Sequence, residues 1–356
     1  MRKMKWAIVP VAAAVLLVAA GCGSSSSDSS SSSSSASSST SSTTNVLVGA
    51  GSTLIAPLMA QWQPDYAKSD AAVTVTYGAI GSGGGVDAIT ARTVDFGASD
   101  APLTSDQATA CKGCVQVPWA LAATVVTYNV KGVPNNLHLT GKIVSQMYQG
   151  KITSWDDAQI KQLNPSVNLP STHVTPIYRS DSSGDSWVFT SYLSAVDPSW
   201  KSAVGASTSP SWPAGNAAEK NSGVAAAVQA TDGSIGYVAV SYIAADGLNQ
   251  ALLQNAAGEF PEPSTDAILA AAKAVTTVQP DGSVPLVNPP ASAKGAYPMS
   301  TYSYAIVPKD APHGPTLAAF LTYAITDGQS FGPDLGYPAL PANIVAHDKT
   351  VISQIK

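Results

Sequence analysis

Charged residues are scarce in this sequence. They make up 12% of its 356 residues, the formal net charge is −5, and no cluster of Lys and Arg follows Lys5. A protein that neutralises a nucleic-acid backbone needs clustered Lys and Arg, so this composition argues against nucleic-acid binding. Hydrophobic residues account for 45%, and Gly and Pro are plentiful. That mixture is typical of a globular body with many turns.

Histidine and cysteine are also few. No second C-x-x-C and no close pair of His accompanies Cys111 and Cys114, so we expect neither a zinc site nor any other metal or cofactor. The four His all fall in apparent strand or loop positions without evident partners, and we predict no catalytic role for them. They are His138, His173, His313 and His347.

The N-terminus has the pattern of an export signal. Arg2, Lys3 and Lys5 precede an apolar stretch at residues 6–20, which is short for a bilayer span. Gly21-Cys22 follows and resembles the lipobox of bacterial lipoproteins, although Ala19 stands where Leu or Val is more usual. The resemblance implies that residues 1–21 are removed and that Cys22 bears a lipid. The alternative is an ordinary signal peptide followed by an unrelated Cys.

Residues 23–44 consist almost entirely of Ser and Thr. A segment of this composition has little to bury, so it cannot offset the entropy lost on ordering. With Cys22 it forms a predicted lipid-anchored tether (residues 22–44) with an end-to-end distance of roughly 25 Å. An O-glycosylated stalk remains the alternative.

Cys111 and Cys114 form a lone C-x-x-C in an apparent loop. The export signal implies an oxidising compartment, which favours a short-loop disulfide. A thioredoxin-like redox site would place this motif after a strand at a helix N-terminus. We therefore predict a structural disulfide.

The hydrophobic pattern predicts alternating strands and helices. Strands are expected at residues 45–48, 73–77, 94–98, 122–129, 173–178, 234–238 and 302–307. Helices are expected at 54–62, 86–91, 141–150, 186–193, 224–230 and 317–326, with another opened by residues 155–157. Ser52 and Thr53 are candidate N-caps, and residues 255–298 look irregular. This order indicates an α/β fold, and the length favours two domains.

Four loops have residues suited to holding an anion. They lie at residues 49–53, 81–85, 97–100 and 179–185, each follows a predicted strand, and they are rich in Gly, Ser and Thr. Glycine allows close backbone approach, and a helix N-terminus presents unpaired N–H groups with a favourable dipole. The last loop adds Arg179, whose guanidinium can bind an oxyanion through two hydrogen bonds. None of the loops has the Gly-Lys-Ser/Thr of a P-loop, and 49–53 lacks the third glycine of a dinucleotide fingerprint.

Taken in order, these segments resemble the PstS family, the phosphate-binding proteins of ABC-type phosphate importers. The similarity extends from about residue 46 to 345 and is most specific in the stretch Asp95-Phe96-Gly97-Ala98-Ser99-Asp100-Ala101-Pro102-Leu103. Its other motifs are Gly49-Ala50-Gly51-Ser52-Thr53, Gly81-Ser82-Gly83-Gly84-Gly85, Gly150-Lys151-Ile152, Trp155-Asp156-Asp157, Arg179-Ser180-Asp181-Ser182-Ser183-Gly184 and Gly236-Tyr237-Val238.

The resemblance implies a type II periplasmic-binding-protein fold. In this fold two lobes, each a mainly parallel sheet with flanking helices, enclose a ligand cleft. One lobe would hold residues 45–127 and 304–356, and the other residues 128–303. The anion would be bound by side chains or backbone N–H groups of Thr53, Leu54, Ser82, Asp100, Arg179, Ser183, Gly184 and Asp185. No residue would be catalytic. We expect an extracytoplasmic, lipid-anchored monomer whose partners are the permease and ATPase subunits of the importer.

Asp100 is the predicted selectivity residue. Phosphate keeps a proton near neutral pH, whereas sulfate has none, and an ionised Asp only accepts hydrogen bonds. A sulfate would leave the buried carboxylate facing like charge. Without the resemblance, Asp100 could equally be an N-cap or first helical residue before Pro102.

Asp185 departs from the family, which commonly has Thr after Ser-Gly. One hypothesis is that a second carboxylate selects the doubly protonated monoanion and shifts the optimum to acidic pH. The simpler alternative is that Asp185 caps the following helix, with its carboxylate turned aside.

Other functions compete with phosphate delivery. Gly184-Asp185-Ser186 and Asp310-x-x-His313 echo the motifs of GDS-type esterases, but the Ser motif lies in mid-chain instead of near the N-terminus. The same fold could bind sulfate or molybdate, although Asp100 argues against fully deprotonated ligands. A surface protein for signalling or adhesion is a further alternative.

Overall fold

In a computed structural model, residues 45–356 are described. The predicted signal peptide, Cys22 and the Ser-rich tether lie outside the described residues. Ten strands are assigned within residues 45–356. They are β1 (Asn45–Gly51), β2 (Val73–Ala79), β3 (Phe96–Ser99), β4 (Cys114–Asn129), β5 (Leu137–Leu139), β6 (Thr175–Arg179), β7 (Asn216–Ala218), β8 (Ser234–Ala239), β9 (Asn249–Leu253) and β10 (Ser300–Pro308).

Twelve α-helices accompany these strands in the same part of the chain, together with short 3₁₀ helices at Asp327–Phe331 and Pro333–Leu335. The α-helices are α1 (Ala56–Ser69), α2 (Ser82–Thr90), α3 (Ser105–Ala110), α4 (Gly141–Tyr148), α5 (Ala158–Leu163), α6 (Gly184–Val196), α7 (Pro198–Ala203), α8 (Lys220–Ala230), α9 (Val240–Ala245), α10 (Thr265–Ala274), α11 (Gly314–Ala324) and α12 (Ala342–Ile352). The expected α/β class is confirmed.

The strands follow the order β2-β1-β3-β10-β4-β8-β6-β7. Strand β1 pairs in parallel with both β2 and β3, so the carboxyl ends of these three strands lie at one edge of the sheet. Strand β6 pairs in parallel with β7 and β8. The central strands β10 and β4 are antiparallel to their neighbours. The sheet therefore gathers the predicted anion-binding loops after β1, β2 and β3.

Strand β4 connects the two halves of this arrangement. Its first half, up to Ala123, pairs with β10, and its second half, from Thr124, pairs with β8. Almost every residue of β4 is buried. Nearly continuous hydrophobic sequence is what a strand covered on both faces requires.

The interior is packed around large aromatic side chains. Trp62 and Phe96 contact Trp119 edge to face, with ring centroids 5.5 and 5.7 Å apart. Helix α2 packs directly on β1, because a Cβ on Gly85 would come within 2.5 Å of the Gly51 Cα. This close approach fixes the start of α2, and with it Ser82, beside the end of β1.

Several predicted boundaries were wrong. Ser52 and Thr53 are not N-caps, since α1 begins after Ile55 and has no side-chain cap. By contrast, residues 155–157 open a helix as predicted, because the Asp157 carboxylate caps α5 by accepting the Gln159 N–H at 2.8 Å. The segment 255–298 contains α10, whose buried Ala267, Ile268, Ala271 and Ala272 form one face. The sequence pattern did not indicate this short Ala-rich helix, because Pro-rich segments surround it.

Cys111 and Cys114 are disulfide-bonded. The bond joins the end of α3 to the start of β4. The Arg92 guanidinium donates to the Cys111 carbonyl at 3.0 Å and holds the same turn. Among residues 45–356 no helix is long and apolar enough to cross a membrane.

Asp348 on α12 is a buried carboxyl outside the four predicted anion-binding loops. Its Oδ1 lies 3.1 Å from His347 Nδ1, and its Oδ2 has no hydrogen-bond partner among the described residues. Burial raises the pKa of Asp348 to about 6, although His347 opposes the rise. The folded state therefore disfavours the ionised form.

We expect Asp348→Asn to stabilise the protein at neutral pH. Because the pKa in the fold exceeds that of the unfolded chain, ionisation costs stability as the pH rises from about 4 to about 6. The variant should gain about 2–3 kcal/mol over wild type at pH 7.5 and nothing near pH 4. Urea unfolding at both pH values measures this. Asp310→Asn, whose side chain is 84% exposed, is the control and should have little effect. A less stable Asp348→Asn at pH 7.5 contradicts the prediction.

Candidate functional site

The four predicted loops meet in one buried polar cluster. Three of them lie at the carboxyl ends of β1, β2 and β3, at a common sheet edge, and the fourth begins at the last residue of β6. All eight predicted anion-binding residues are buried there: Thr53, Leu54, Ser82, Asp100, Arg179, Ser183, Gly184 and Asp185. Burial of this many polar groups requires partners for each of them.

Ser82, the first residue of α2, joins loops that are distant in sequence. Its Oγ accepts a hydrogen bond from the Asp100 N–H at 3.3 Å and from the Gly184 N–H at 3.0 Å. The loop after β3 and the N-terminus of α6 therefore both contact one hydroxyl. Helix α2 and helix α6 both point their positive N-terminal ends toward this place.

Asp100 has one oxygen bound and one oxygen without a partner. Its Oδ2 accepts from the Ser52 and Ser82 hydroxyls. Its Oδ1 is buried and has no hydrogen-bond partner of standard geometry among the described residues, and the same is true of the nearby Ser303 Oγ. Burial, with the neighbouring Asp185 charge, raises the pKa of Asp100 to about 7. Asp100 precedes no helix directly, since α3 starts at Ser105 after the Thr104 cap.

Arg179 lies at the end of β6 between two carboxylates. Its Nε donates to Asp181 Oδ1 at 2.7 Å, and its Nη2 donates to the other oxygen of Asp181. Its Nη1 donates to Asp185 Oδ2 at 3.2 Å. Burial raises the pKa of Asp181, but the Arg179 hydrogen bonds and charge outweigh it and hold the pKa below its usual value. Three of the five guanidinium N–H groups are used, so two remain for a ligand.

Asp185 is not the cap of α6. Ser183 is the N-cap, because its hydroxyl accepts the Ser186 N–H at 3.3 Å. The Asp185 carboxylate instead points inward, where Oδ1 accepts from the Thr124 hydroxyl at 2.7 Å and Oδ2 accepts from Asn221 at 2.7 Å. Burial raises the pKa of Asp185 although Arg179 opposes the rise. The simpler alternative for Asp185 is therefore wrong.

Asn221 is a site residue that sequence reasoning missed. Its Nδ2 donates to Thr53 Oγ1 at 2.8 Å as well as to Asp185, and its Oδ1 accepts the Ala239 N–H at 2.8 Å. It thus connects the loop after β1 to the start of α6 and the end of β8. A lone Asn at the start of a helix belongs to no recognisable motif, so only the fold shows its position.

Three tyrosines orient the loop after β1. Their hydroxyls donate to consecutive carbonyls: Tyr77 to Ser52 at 2.8 Å, Tyr242 to Thr53 at 3.4 Å, and Tyr337 to Leu54. The Leu54 N–H donates to the Ser52 hydroxyl at 3.0 Å. These hydrogen bonds to the carbonyls fix the orientation of the three peptide units.

The esterase motifs are not assembled. Ser186 is buried and its hydroxyl lies 2.7 Å from the Tyr237 hydroxyl. His313 Nδ1 lies 2.9 Å from Asp95, not beside Asp310, so the expectation that the histidines lack partners was wrong. His347 also has a partner, Asp348, and lies in a helix. A Ser-His-Asp arrangement needs a His within hydrogen-bond reach of the Ser.

The arrangement suits binding of a small oxyanion. It combines hydroxyls, backbone N–H groups at two helix N-termini and a guanidinium with free donors, all removed from bulk water. No group of three His, Cys, Asp or Glu suited to a metal ion occurs among residues 45–356.

Known proteins are similar to this chain in both sequence and fold. Residues 36–328 match the family model described as the PBP superfamily domain. Phosphate-binding protein PstS of Xylella fastidiosa is 38% identical over 302 residues, covering 83% of this chain and 82% of that protein. Phosphate-binding protein PstS of Haemophilus influenzae is 35% identical over 317 residues, covering 88% and 93%.

Solved structures of phosphate-binding proteins have a fold similar to that of this chain. The crystal structure of phosphate binding protein from Stenotrophomonas maltophilia superposes with a TM-score of 0.63 at 21% identity, covering 86% of this chain and 93% of that one. A high affinity periplasmic phosphate-binding protein, bound with phosphate at pH 8.5, gives a TM-score of 0.66 at 21% identity and the same coverage. The chain belongs to the PBP superfamily and, within it, to the family of PstS phosphate-binding proteins.

Proposed function

We propose that this protein captures inorganic phosphate at the cluster built by the loops after β1, β2, β3 and β6, and delivers it to an ABC-type phosphate importer. Its relatives support this function. They are named phosphate-binding proteins, and the similarity to this chain covers most of their length. The proposed ligands are Thr53, Leu54, Ser82, Asp100, Arg179, Ser183, Gly184 and Asp185, through side chains or backbone N–H groups.

The buried Oδ1 of Asp100, which has no hydrogen-bond partner of standard geometry among residues 45–356, is the observation that carries the proposal. A buried carboxylate oxygen needs a donor, and a protonated phosphate supplies an O–H while its other oxygens accept from the surrounding hydroxyls and N–H groups. Sulfate has no such proton near neutral pH and would face Asp100 charge to charge. Asp100 therefore favours phosphate over sulfate or molybdate.

We propose that the chain forms two lobes that close on the ligand, residues 45–127 with 304–356 and residues 128–303. The change of pairing partner along β4, between Ala123 and Thr124, supports a crossing in this strand. Contacts across the proposed division hold the closed form. The Gly83 N–H donates to the Ser182 carbonyl at 3.0 Å, and Asn221 donates to Thr53.

Binding and release, without chemistry on the ligand, complete the proposed function. The importer would distinguish the closed form from the open one, because closure changes the relative position of the lobes. The formal net charge of −5 means that local dipoles, hydroxyls and Arg179 must supply the affinity. We further propose an extracytoplasmic location, with Cys22 lipid-anchored and the Ser-rich segment as tether.

Calorimetric titration of the phosphate-stripped protein tests the ligand. Wild type should bind one phosphate per chain, and a large excess of sulfate should not suppress that binding. In Asp100→Asn the amide can donate to an unprotonated oxyanion, so the preference for phosphate over sulfate should fall by about tenfold or more. Folded protein that binds no phosphate, or binds sulfate equally well, overturns the proposal.

A glycine substitution tests closure. A Cβ on Gly83 would lie 2.2 Å from Ser182 Oγ, so Gly83→Ala should oppose closure and lower phosphate affinity by about tenfold or more. The loss would not come from a weaker helix, since Ala favours helix over Gly. The control is Gly78→Ala, where a Cβ would meet nothing closer than 3.8 Å. If the two variants bind phosphate with equal affinity, the contact between Gly83 and Ser182 does not contribute to closure.

Mass spectrometry tests the anchor. In a bacterium that expresses the full chain, the mature N-terminal peptide should begin at a lipid-modified Cys22, and the protein should sediment with membranes. Cys22→Ser should leave the membrane fraction, because each buried CH₂ of a lipid chain contributes about 0.8 kcal/mol to membrane affinity. Ser24→Ala is the control and should stay membrane-bound. An unmodified Cys22 peptide in wild type refutes the anchor.

A further inference from the structure

The charges at the proposed phosphate site do not balance. Arg179 is the one cation among residues 45–356 that is fully buried. Two carboxylates, Asp181 and Asp185, contact it, and the buried Asp100 carboxylate adds a third negative charge nearby. When all of these groups are ionised, which for Asp100 requires a pH above its raised pKa of about 7, the cluster has two negative charges more than positive ones before any anion enters.

The helix dipoles offset only part of this excess. Helices α2 and α6 begin at the cluster, with 9 and 13 residues. Each N-terminus contributes the equivalent of about half a positive charge, so the two together offset about one of the two uncompensated charges. A dianion would then enter a site that is already negative. Each proton that the anion carries lowers its negative charge by one and so weakens its repulsion by the carboxylates.

Asp185 contributes one of these negative charges, and its carboxylate can accept a further hydrogen bond. Its Oδ2 accepts from Arg179 and Asn221, whereas its Oδ1 accepts only from the Thr124 hydroxyl. A carboxylate oxygen has two lone-pair directions, so Oδ1 has one left. Together with Asp100 Oδ1, the cluster has two carboxylate oxygens that can each accept a further hydrogen bond.

No other titratable group near Asp185 relieves the charge. Three tyrosines lie near Asp185, and a fourth, Tyr77, lies near Asp100. Burial raises the pKa of each, so they stay neutral; the three near Asp185 are Tyr237, Tyr242 and Tyr337. The Lys220 ammonium contacts exposed Glu219 instead of the cluster. Asp100, Asp181 and Arg179 are the remaining charged neighbours.

We propose that this protein takes up phosphate in its dihydrogen form, so that above neutral pH each phosphate enters with one proton from solvent, and that Asp185 imposes this coupling. The free dianion plus one proton then gives the bound monoanion, which has two O–H groups for the two acceptor positions. This inference rests on the proposed phosphate function and names the specificity residue within it.

Proton counting by calorimetry tests the coupling directly. Phosphate is titrated into the protein at pH 8.5 in two buffers that differ in ionisation enthalpy, and the difference in observed heat gives the protons taken up. Wild type should take up about one proton per phosphate, and its dissociation constant should rise about tenfold per pH unit above neutrality. Asp185→Asn keeps the shape and removes the charge, so it should take up about none and lose that pH slope.

The control is Asp197→Asn, a buried carboxyl bonded to Ser145 and Ser199 away from the cluster, which should behave as wild type. Equal proton uptake in wild type and Asp185→Asn overturns the assignment to Asp185. If that variant does not fold, Asp185→Thr replaces it, and a wild type that binds phosphate without proton uptake at pH 8.5 overturns the coupling by itself. A wild type that binds no phosphate at pH 6 or 8.5 removes the proposed function and this inference together.

Discussion

The Arg179 guanidinium is the charge around which the site is organised. A buried cation is tolerated only when carboxylates and hydrogen bonds compensate for lost hydration, and Asp181 and Asp185 do so from two sides. These pairs hold the chain between β6 and α6 in a single conformation. Ser183 and Gly184 lie in that segment, so their positions follow from the ion pairs. Removing one partner would leave a buried charge unpaired, which is far costlier than removing a surface pair.

Around this ion-paired centre the protein relies on neutral groups. Tyrosine hydroxyls hold three consecutive carbonyls after β1, and the Ser82 hydroxyl connects Asp100 with the start of α6. Such dipoles stabilise an anion without adding a mobile counter-charge, and they are already oriented before binding. In the proposed function, the excess of carboxylates would discriminate among anions by the protons they bring, so affinity and selectivity would come from different groups in the same cluster.

Parallel pairing explains why so much of the site was visible in the sequence. Residues 49–53 and 97–100 include the ends of β1 and β3, and residues 81–85 follow β2. Because β1 pairs in parallel with both β2 and β3, these segments meet at one sheet edge. The helix α10 was missed because its Ala-rich turns lie between Pro-rich segments, where periodicity is weak. Asn221 and Thr124 were missed because their contacts with Asp185 span 36 and 61 positions and follow no motif.

The sequence by itself determined the α/β class, the family and the positions of the proposed anion-binding loops, because strand and helix periods and Gly-Ser motifs are local properties of the chain. Only the tertiary structure decided what the side chains do there. Ser183 rather than Asp185 caps α6, and Asp185 turns inward to Arg179, Thr124 and Asn221. The physical reason is that charge compensation depends on distance in space. Residues far apart in the chain share one buried volume, and their charges must be summed there.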